Sequence, residues 1–130
     1  ILYSGVDINR AMIRACWQKF PEKKHLFRLG RKPTQEVDFS VFSGTFNLCF
    51  SNKLETWEKY IFSNLEQSWK KSRIGLVLNL LCDMQPSISN QIYYANRKQF
   101  ITRAKERFGP THAISTPRVS GDVTFIITRT

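Results

Sequence analysis

Residues 36–51, EVDFSVFSGTFNLCFS, constrain the fold most. Val37, Phe39 and Val41 alternate with Glu36, Asp38 and Ser40. Phe46, Leu48 and Phe50 then alternate with Thr45, Asn47 and Cys49. A period of two is the mark of a strand with one face on a core. The phase slips at Phe42-Ser43-Gly44. A slip of one residue turns every later side chain to the other face, so Ser43-Gly44 reads as a bulge or a tight turn. Either way, one apolar face stays on the core.

The flanking segments carry the helical period. Residues 7–20, DINRAMIRACWQKF, predict a helix capped by Asp7, with Ile8, Met12, Ala15 and Cys16 on one face and Pro21 after its end. Residues 21–35 turn polar and basic and read as an exposed connection. A second helix is expected after Asn52, with Glu55 completing a capping box and Leu54, Trp57, Ile61 and Leu65 on one face. Glu55 and Lys59 stand one turn apart as an ion pair. The basic break Lys70-Lys71-Ser72-Arg73 follows. Ile74–Met84, rich in leucine and ended by Pro86, then predicts a central buried helix.

Residues 87–91 read as a polar loop. In residues 92–108, Tyr93, Phe100, Ile101, Ala104 and Phe108 can share a helical face stopped by Gly109-Pro110, although IYY and QFIT also read as short strands. Residues 110–118 read as a loop, and 122–129, DVTFIITR, as a closing strand. This order predicts an α+β fold, a small antiparallel sheet with helices packed on one face. The expected organisation is a single domain over 1–130: an N-terminal helix and basic connection over 1–35, and an α+β core over 36–130.

With 42% hydrophobic residues the chain can bury a core, which argues against disorder. Its net charge of +10 points to an anionic partner: nucleic acid, anionic lipid or an acidic protein. Cys16, Cys49 and Cys82 are odd in number and widely spaced, so they read as small buried hydrophobes in a reducing compartment. No signal peptide and no run long enough to span a bilayer is present. A chain beginning at Ile1 reads as a fragment or a processed piece.

Catalytic constellations are sparse. His25 and His112 could serve a metal-independent ribonuclease as base and acid, with Thr124, Thr128 and Arg129 beside His112 in a second version. Asp38 lies on a strand where some metal nucleases begin, but TFNLCF brings no acid to meet it. No phosphate-binding glycine loop, GxSxG or HExxH occurs. No catalytic residue, metal or cofactor is therefore expected. The stronger signal is basic: Lys19, Lys23, Lys24, Arg28, Arg31 and Lys32; then Lys70, Lys71 and Arg73; then Arg97, Lys98, Arg103, Lys105 and Arg107. Clusters of this kind contact nucleic-acid phosphates or an anionic bilayer.

The run GTFNLCFSN, KLETWEKYIFSNLEQSW, KKSR, IGLVLNLLCDM resembles the central part of rhabdovirus matrix proteins, with Thr56-Trp57 as the Thr-aromatic pair near the helix start. NQIYYANRKQFITRAKERFGP and DVTFIITRT extend the likeness over residues 44–130. The resemblance implies a non-enzymatic viral matrix protein of virion assembly that self-associates and links the nucleocapsid to an anionic membrane. It would lie in the virion, at the inner face of the host membrane or in the cytoplasm, and could also bind RNA. By pattern the contact falls on Lys70, Lys71 and Arg73, supported by Lys23, Lys24, Arg31 and Lys32. Arg97, Lys98, Arg103, Lys105 and Arg107 form a secondary patch, and Ile88 is a candidate for insertion into lipid or a neighbouring subunit. The alternatives are a small toxin-like ribonuclease using His112 and a plain nucleic-acid-binding module.

Overall fold

The alternating segment does form a strand, and its partner is the segment that leucine content assigned to a helix. The computed structural model describes residues 1–130 and divides into two compact units, Ile1–Thr34 and Gln35–Thr130. Both combine helices with strands, and the fold is α+β.

In the first unit, β1 (Gly5–Asp7) and β2 (Phe27–Leu29) pair in parallel. Parallel neighbours need a crossover. Helix α1 (Arg10–Lys19) and a 3-10 turn over Pro21–Leu26 supply it. The predicted exposed connection thus holds a turn and a strand. The helix cap is Asn9 rather than Asp7: Asn9 Oδ1 accepts the Ala11 N–H at 2.9 Å. Asp7 instead ends β1. Trp17 Nε1 donates to the carbonyls of Lys24 and Phe27 at 3.2 and 3.1 Å, tying the helix to the turn and to β2.

In the second unit, β3 (Val37–Phe42), α2 (Leu54–Lys71) and β4 (Ser72–Leu81) form another parallel β-α-β crossover. A hairpin of β5 (Ser87–Ser89) and β6 (Ile92–Tyr94) follows, then α3 (Arg97–Arg107), β7 (Thr111–Ser115) and β8 (Asp122–Thr128). The sheet runs β3-β4-β8-β7 and is antiparallel except between β3 and β4. Leu76, Leu78 and Leu80 of β4 and Val123, Phe125 and Ile127 of β8 face Ile61, Phe62 and Leu65 of α2 and Phe100 and Ala104 of α3. Each fully buried side chain of this kind contributes about 1.5–3 kcal/mol over leaving it in water. The opposite face of the sheet stays open, with Phe39, Val41 and Ile114 exposed.

Several expectations are corrected. Ile74–Met84 is not a helix: its first eight residues belong to β4, a strand with neighbours on both sides. A short apolar run fits a buried strand and a buried helix alike, and strand pairing outweighs leucine's helix preference. Thr45–Phe50 is not a strand but a turn with one isolated bridge, Leu48 to Ile92. Its buried residues, Phe46 and Cys49, are three apart rather than two. Gly44, at φ +65°, makes that turn. Helix α2 begins after Lys53 with no side-chain cap, so the Asn52 box does not form, although the Glu55–Lys59 pair does, at 3.0 Å. Residues 92–108 hold both readings, a strand and then a helix. Most of the supposed 110–118 loop is β7, while the closing strand is as expected.

Gly75 lets the backbones of β4 and β8 approach closely. A Cβ there would strike the carbonyl oxygen of Ile127 on β8. The Gly75→Ala variant is expected to lose about 2–3 kcal/mol of stability through forced strand separation, read as a lower midpoint in urea unfolding.

Candidate active site

Strands of a parallel pair end at one edge, and ligands of open α/β sheets bind outside the carboxyl ends. In the first unit that edge holds Asp7. Its Oδ1 accepts the Asn9 N–H at 2.7 Å, and its backbone carbonyl accepts the Gly30 N–H at 3.0 Å. Oδ2 makes no hydrogen bond within the chain, so one carboxylate oxygen is open to an incoming donor. The chain leaves this edge straight into the N-terminus of α1.

In the second unit the same kind of edge carries a polar chain across all four strands. The Gly44 N–H, just past β3, donates to Asn79 Oδ1 on β4 at 2.6 Å. Asn79 Nδ2 donates to Asp122 Oδ1 at the start of β8 at 2.9 Å. Thr116 Oγ1, just past β7, donates to Asp122 Oδ2 at 2.8 Å. Loop residues are bound into the same edge: Asn47 Oδ1 accepts the Leu81 N–H at 3.3 Å. Residues 91–95 strap it, with Gln91 O accepting from Cys49 N, Tyr93 N donating to Asn47 O, and Ala95 bonded to both Leu81 and Asp83.

The strap is anchored beneath. The Tyr93 hydroxyl donates to Glu58 Oε2 at 2.7 Å, and Arg103 lies 3.5 Å from the other oxygen of Glu58. Burial, with this bond to a carboxylate, pushes the Tyr93 phenol far above its usual range. Cys82 follows β4 at the same edge. Burial pushes its thiol up to about 11, which Arg97 partly offsets and Asp122 reinforces.

Most residues singled out in the sequence lie elsewhere, although Arg31 directly follows Gly30 at the Asp7 edge and Arg103 supports the strap. Lys70 and Lys71 end α2, and Arg73, on β4, makes an ion pair with Asp38 of β3 at 2.6 Å. The basic break is therefore a helix-to-strand junction with Ser72 buried, not a corner between two helices. Lys23 and Lys24 are exposed in the 3-10 turn, and Arg31 and Lys32 follow β2. Arg97 donates to Ser115 Oγ and to the Ala113 carbonyl, binding α3 to β7. Arg107 pairs with Glu66 at 3.1 Å, and Arg103 and Arg107 both lie over the Phe62 ring, at 4.2 and 5.3 Å. Lys98 and Lys105 stay exposed on α3. Ile88 is half-buried against the core.

The nuclease residues fare no better. His25 is exposed in the first unit, while His112 is exposed on β7 of the second. Thr124 and Thr128 share the open sheet face with His112. Arg129 donates to the carbonyls of Ser72 and Trp69 at 2.9 and 2.6 Å and stacks on Trp69 at 4.2 Å, which closes the C-terminus of α2. The residues missed in the sequence are Asp7, Gly44, Asn79 and Asp122. The signal for Asp7 was present: GVD directly before a helix is a strand ending in an acid.

No model of a known protein family matches the chain. It is 26% identical over 115 residues to the protein named "Putative methyltransferase Rv1506c" of Mycobacterium tuberculosis, covering 86% of this chain and 69% of that one. In fold it is similar to the magnesium protoporphyrin IX methyltransferase of Synechocystis PCC 6803, solved with bound SAM. The TM-score is 0.63 at 14% identity, over 99% of this chain. The chain spans 60% of that solved protein.

These likenesses overturn the rhabdovirus matrix reading. With it fall the non-enzymatic role, the self-associating assembly function, and the anionic membrane, nucleocapsid and RNA as partners. The ribonuclease and nucleic-acid-binding alternatives gain no support. The physical reason lies in the stretch that carried the resemblance: its supposed strand is a turn that follows β3, and its basic break and apolar helix are the start and body of β4, which pairs in parallel with β3 across α2.

The raised Cys82 thiol is directly measurable. Moving its ionisation from 9.0 to about 11 leaves about 100-fold less thiolate at pH 8. With Cys16 and Cys49 replaced by Ser, Cys82 should react with a disulfide reagent correspondingly slowly, and its rate should climb until about pH 11. The folded state favours the protonated thiol, so this contribution to stability is complete below pH 9 and is lost as the pH rises through about 11. A rate that levels off near pH 9 contradicts this.

Proposed function

We propose that this chain belongs to the working body of a SAM-dependent methyltransferase acting on a small molecule. The observation that supports it most is the agreement between a sequence likeness spanning 86% of the chain and a fold likeness spanning 99% of it, both to proteins named as methyltransferases.

The residues present fit the adenosine part of such a donor. A carboxylate at the end of a parallel strand is suited to accept hydrogen bonds from ribose hydroxyls. Asp7 ends β1 with Oδ2 open, while the Asn9 N–H and the pairing of β1 with β2 hold the carboxylate in place. When bound, SAM supplies an electrophilic methyl group on a sulfonium; an acceptor's lone pair takes that methyl, and the S–CH3 electrons stay on sulfur as a thioether. The chain's part is to bind and orient, since a displacement of this kind needs alignment above all.

The test is calorimetric titration of SAM into the chain and into an Asp7→Ala variant. Measurable binding is expected, weakened about 10- to 100-fold by loss of a charged acceptor. No SAM binding by the unaltered chain would overturn the reading. Unchanged affinity in Asp7→Ala would remove Asp7 from the site.

A further inference from the structure

We propose that the side chain of Asn9 is a positioning residue for the SAM site of the first unit, acting on Asp7 and not on the ligand itself. The inference deepens the methyltransferase reading and rests on it. Every group it invokes lies between Gly5 and Gly30, within the first unit.

Asn9 is where the end of β1 is joined to the start of α1. Its backbone is extended, at φ −88° and ψ 109°, as an N-cap requires. Its N–H reaches back to Asp7 Oδ1 at 2.7 Å. Its carbonyl accepts the Ile13 N–H at 3.2 Å, the first rung of the helix. Its side-chain Oδ1 accepts the Ala11 N–H at 2.9 Å. That last bond fixes the residue on the helix, and the fixed N–H then fixes the carboxylate. A carboxylate turns about its Cβ–Cγ bond unless one oxygen is held. With Oδ1 bonded to Asn9 and the Asp7 carbonyl bonded to Gly30, Oδ2 is left with one direction to face.

The same side chain keeps Asp7 free for a ligand. The first N–H groups of a helix have no partner within it and take an acceptor in reach. No acid stands in the first turn of α1, and Asn9 caps it. Without the Asn9 oxygen, the nearest side-chain acceptor back along the chain is Asp7. The positive end of the helix dipole draws a carboxylate. Asp7 would then turn to the helix and away from a ribose. Packing does not account for Asn9, which is exposed, while the buried residue of α1 is Ile13. Its side chain makes no hydrogen bond within the chain other than the cap.

Coupling to Asp7 separates this role from a merely structural one. Loss of a cap that only stabilises the helix weakens binding by the same factor whether or not Asp7 is present. Loss of a cap that orients Asp7 matters only while the carboxylate is there. Serine caps a helix about as well as asparagine, so Asn9→Ser keeps an acceptor for the Ala11 N–H.

The experiment titrates SAM into the full chain and into Asn9→Ala, Asn9→Ser, Asp7→Ala and the double variant Asp7→Ala, Asn9→Ala, with the thermal midpoint of each. Expected are an affinity about fivefold weaker in Asn9→Ala, restored in Asn9→Ser, and no further loss from Asn9→Ala in the Asp7→Ala background. Asn9→Ala binding SAM as tightly as the unaltered chain would overturn the proposal, whatever its thermal midpoint. An equal loss with and without Asp7 makes the cap structural only and also overturns it, as does an Asn9→Ser variant that binds no better than Asn9→Ala. An unaltered chain that binds no SAM overturns the methyltransferase reading, and this inference with it.

Discussion

The parallel pairing of β3 with β4 is the constraint on which the rest of the second unit depends. Parallel neighbours cannot be joined by a hairpin, so the chain must leave at the carboxyl end of β3 and return to the amino end of β4. The 18 residues of α2 make that return, a helix about 27 Å long laid along a strand of similar length. Its apolar stripe then covers the sheet, and β4 lies in the interior with β3 on one side and β8 on the other. Gly75 is the local expression of this crowding, since only a residue without a side chain admits the β8 backbone so closely. A further consequence is chemical. Because β3 and β4 run the same way, their loops leave from the same edge, and Gly44, Asn47, Asn79 and Leu81 come within hydrogen-bonding reach there.

The sequence made β3, α2 and β8 legible because each has a clean period: two for the strands, and three or four for the helix. It failed at β4 for a reason that is itself physical. β4 carries apolar residues on both faces, Leu76, Leu78 and Leu80 on the core and the half-buried Val77 and Leu81 on the open side, so SRIGLVLNLL shows a nearly continuous apolar run. With the strand misread as a helix, the crossover disappeared, and with it any reason to look at an edge. The glycine and the asparagine inside that run were the available signals. An asparagine in the middle of an apolar strand calls for a partner, and a glycine there calls for a close neighbour. The site residues were hidden more deeply. Asp7 was masked by its proximity to a helix start, where an acid reads as a cap, and Asp122 could not be linked to Gly44 until β8 was placed beside β4.

The basic residues show how far composition can mislead. A net charge of +10 invites a polyanion. Yet Arg73, Arg97, Arg103, Arg107 and Arg129 all bind groups within the chain, and four of them tie one element to another. Arginine suits this work, because its planar head stacks on a ring while its donors reach a carboxylate or a carbonyl. Arg103 and Arg107 do both around Phe62. Ion pairs at this exposure contribute little each, about 0–1 kcal/mol, so their effect is to fix the docking of α3 more than to add stability.

That docking reaches the edge of the second unit where β3 and β4 end. Arg103 supports Glu58, Glu58 receives the Tyr93 hydroxyl, and Tyr93 lies in the strap that binds the 47–49 turn to the end of β4. The strap and the Asn79–Asp122 chain therefore hold the same edge from two directions, one from beneath and one within the sheet. A site assembled on loops loses ligand affinity to the disorder of those loops, and prior fixing of their backbone removes that cost. Residues 43–49 are long enough to wander. They are instead bonded at Gly44 and Asn47 to β4, and at Asn47 and Cys49 to the strap.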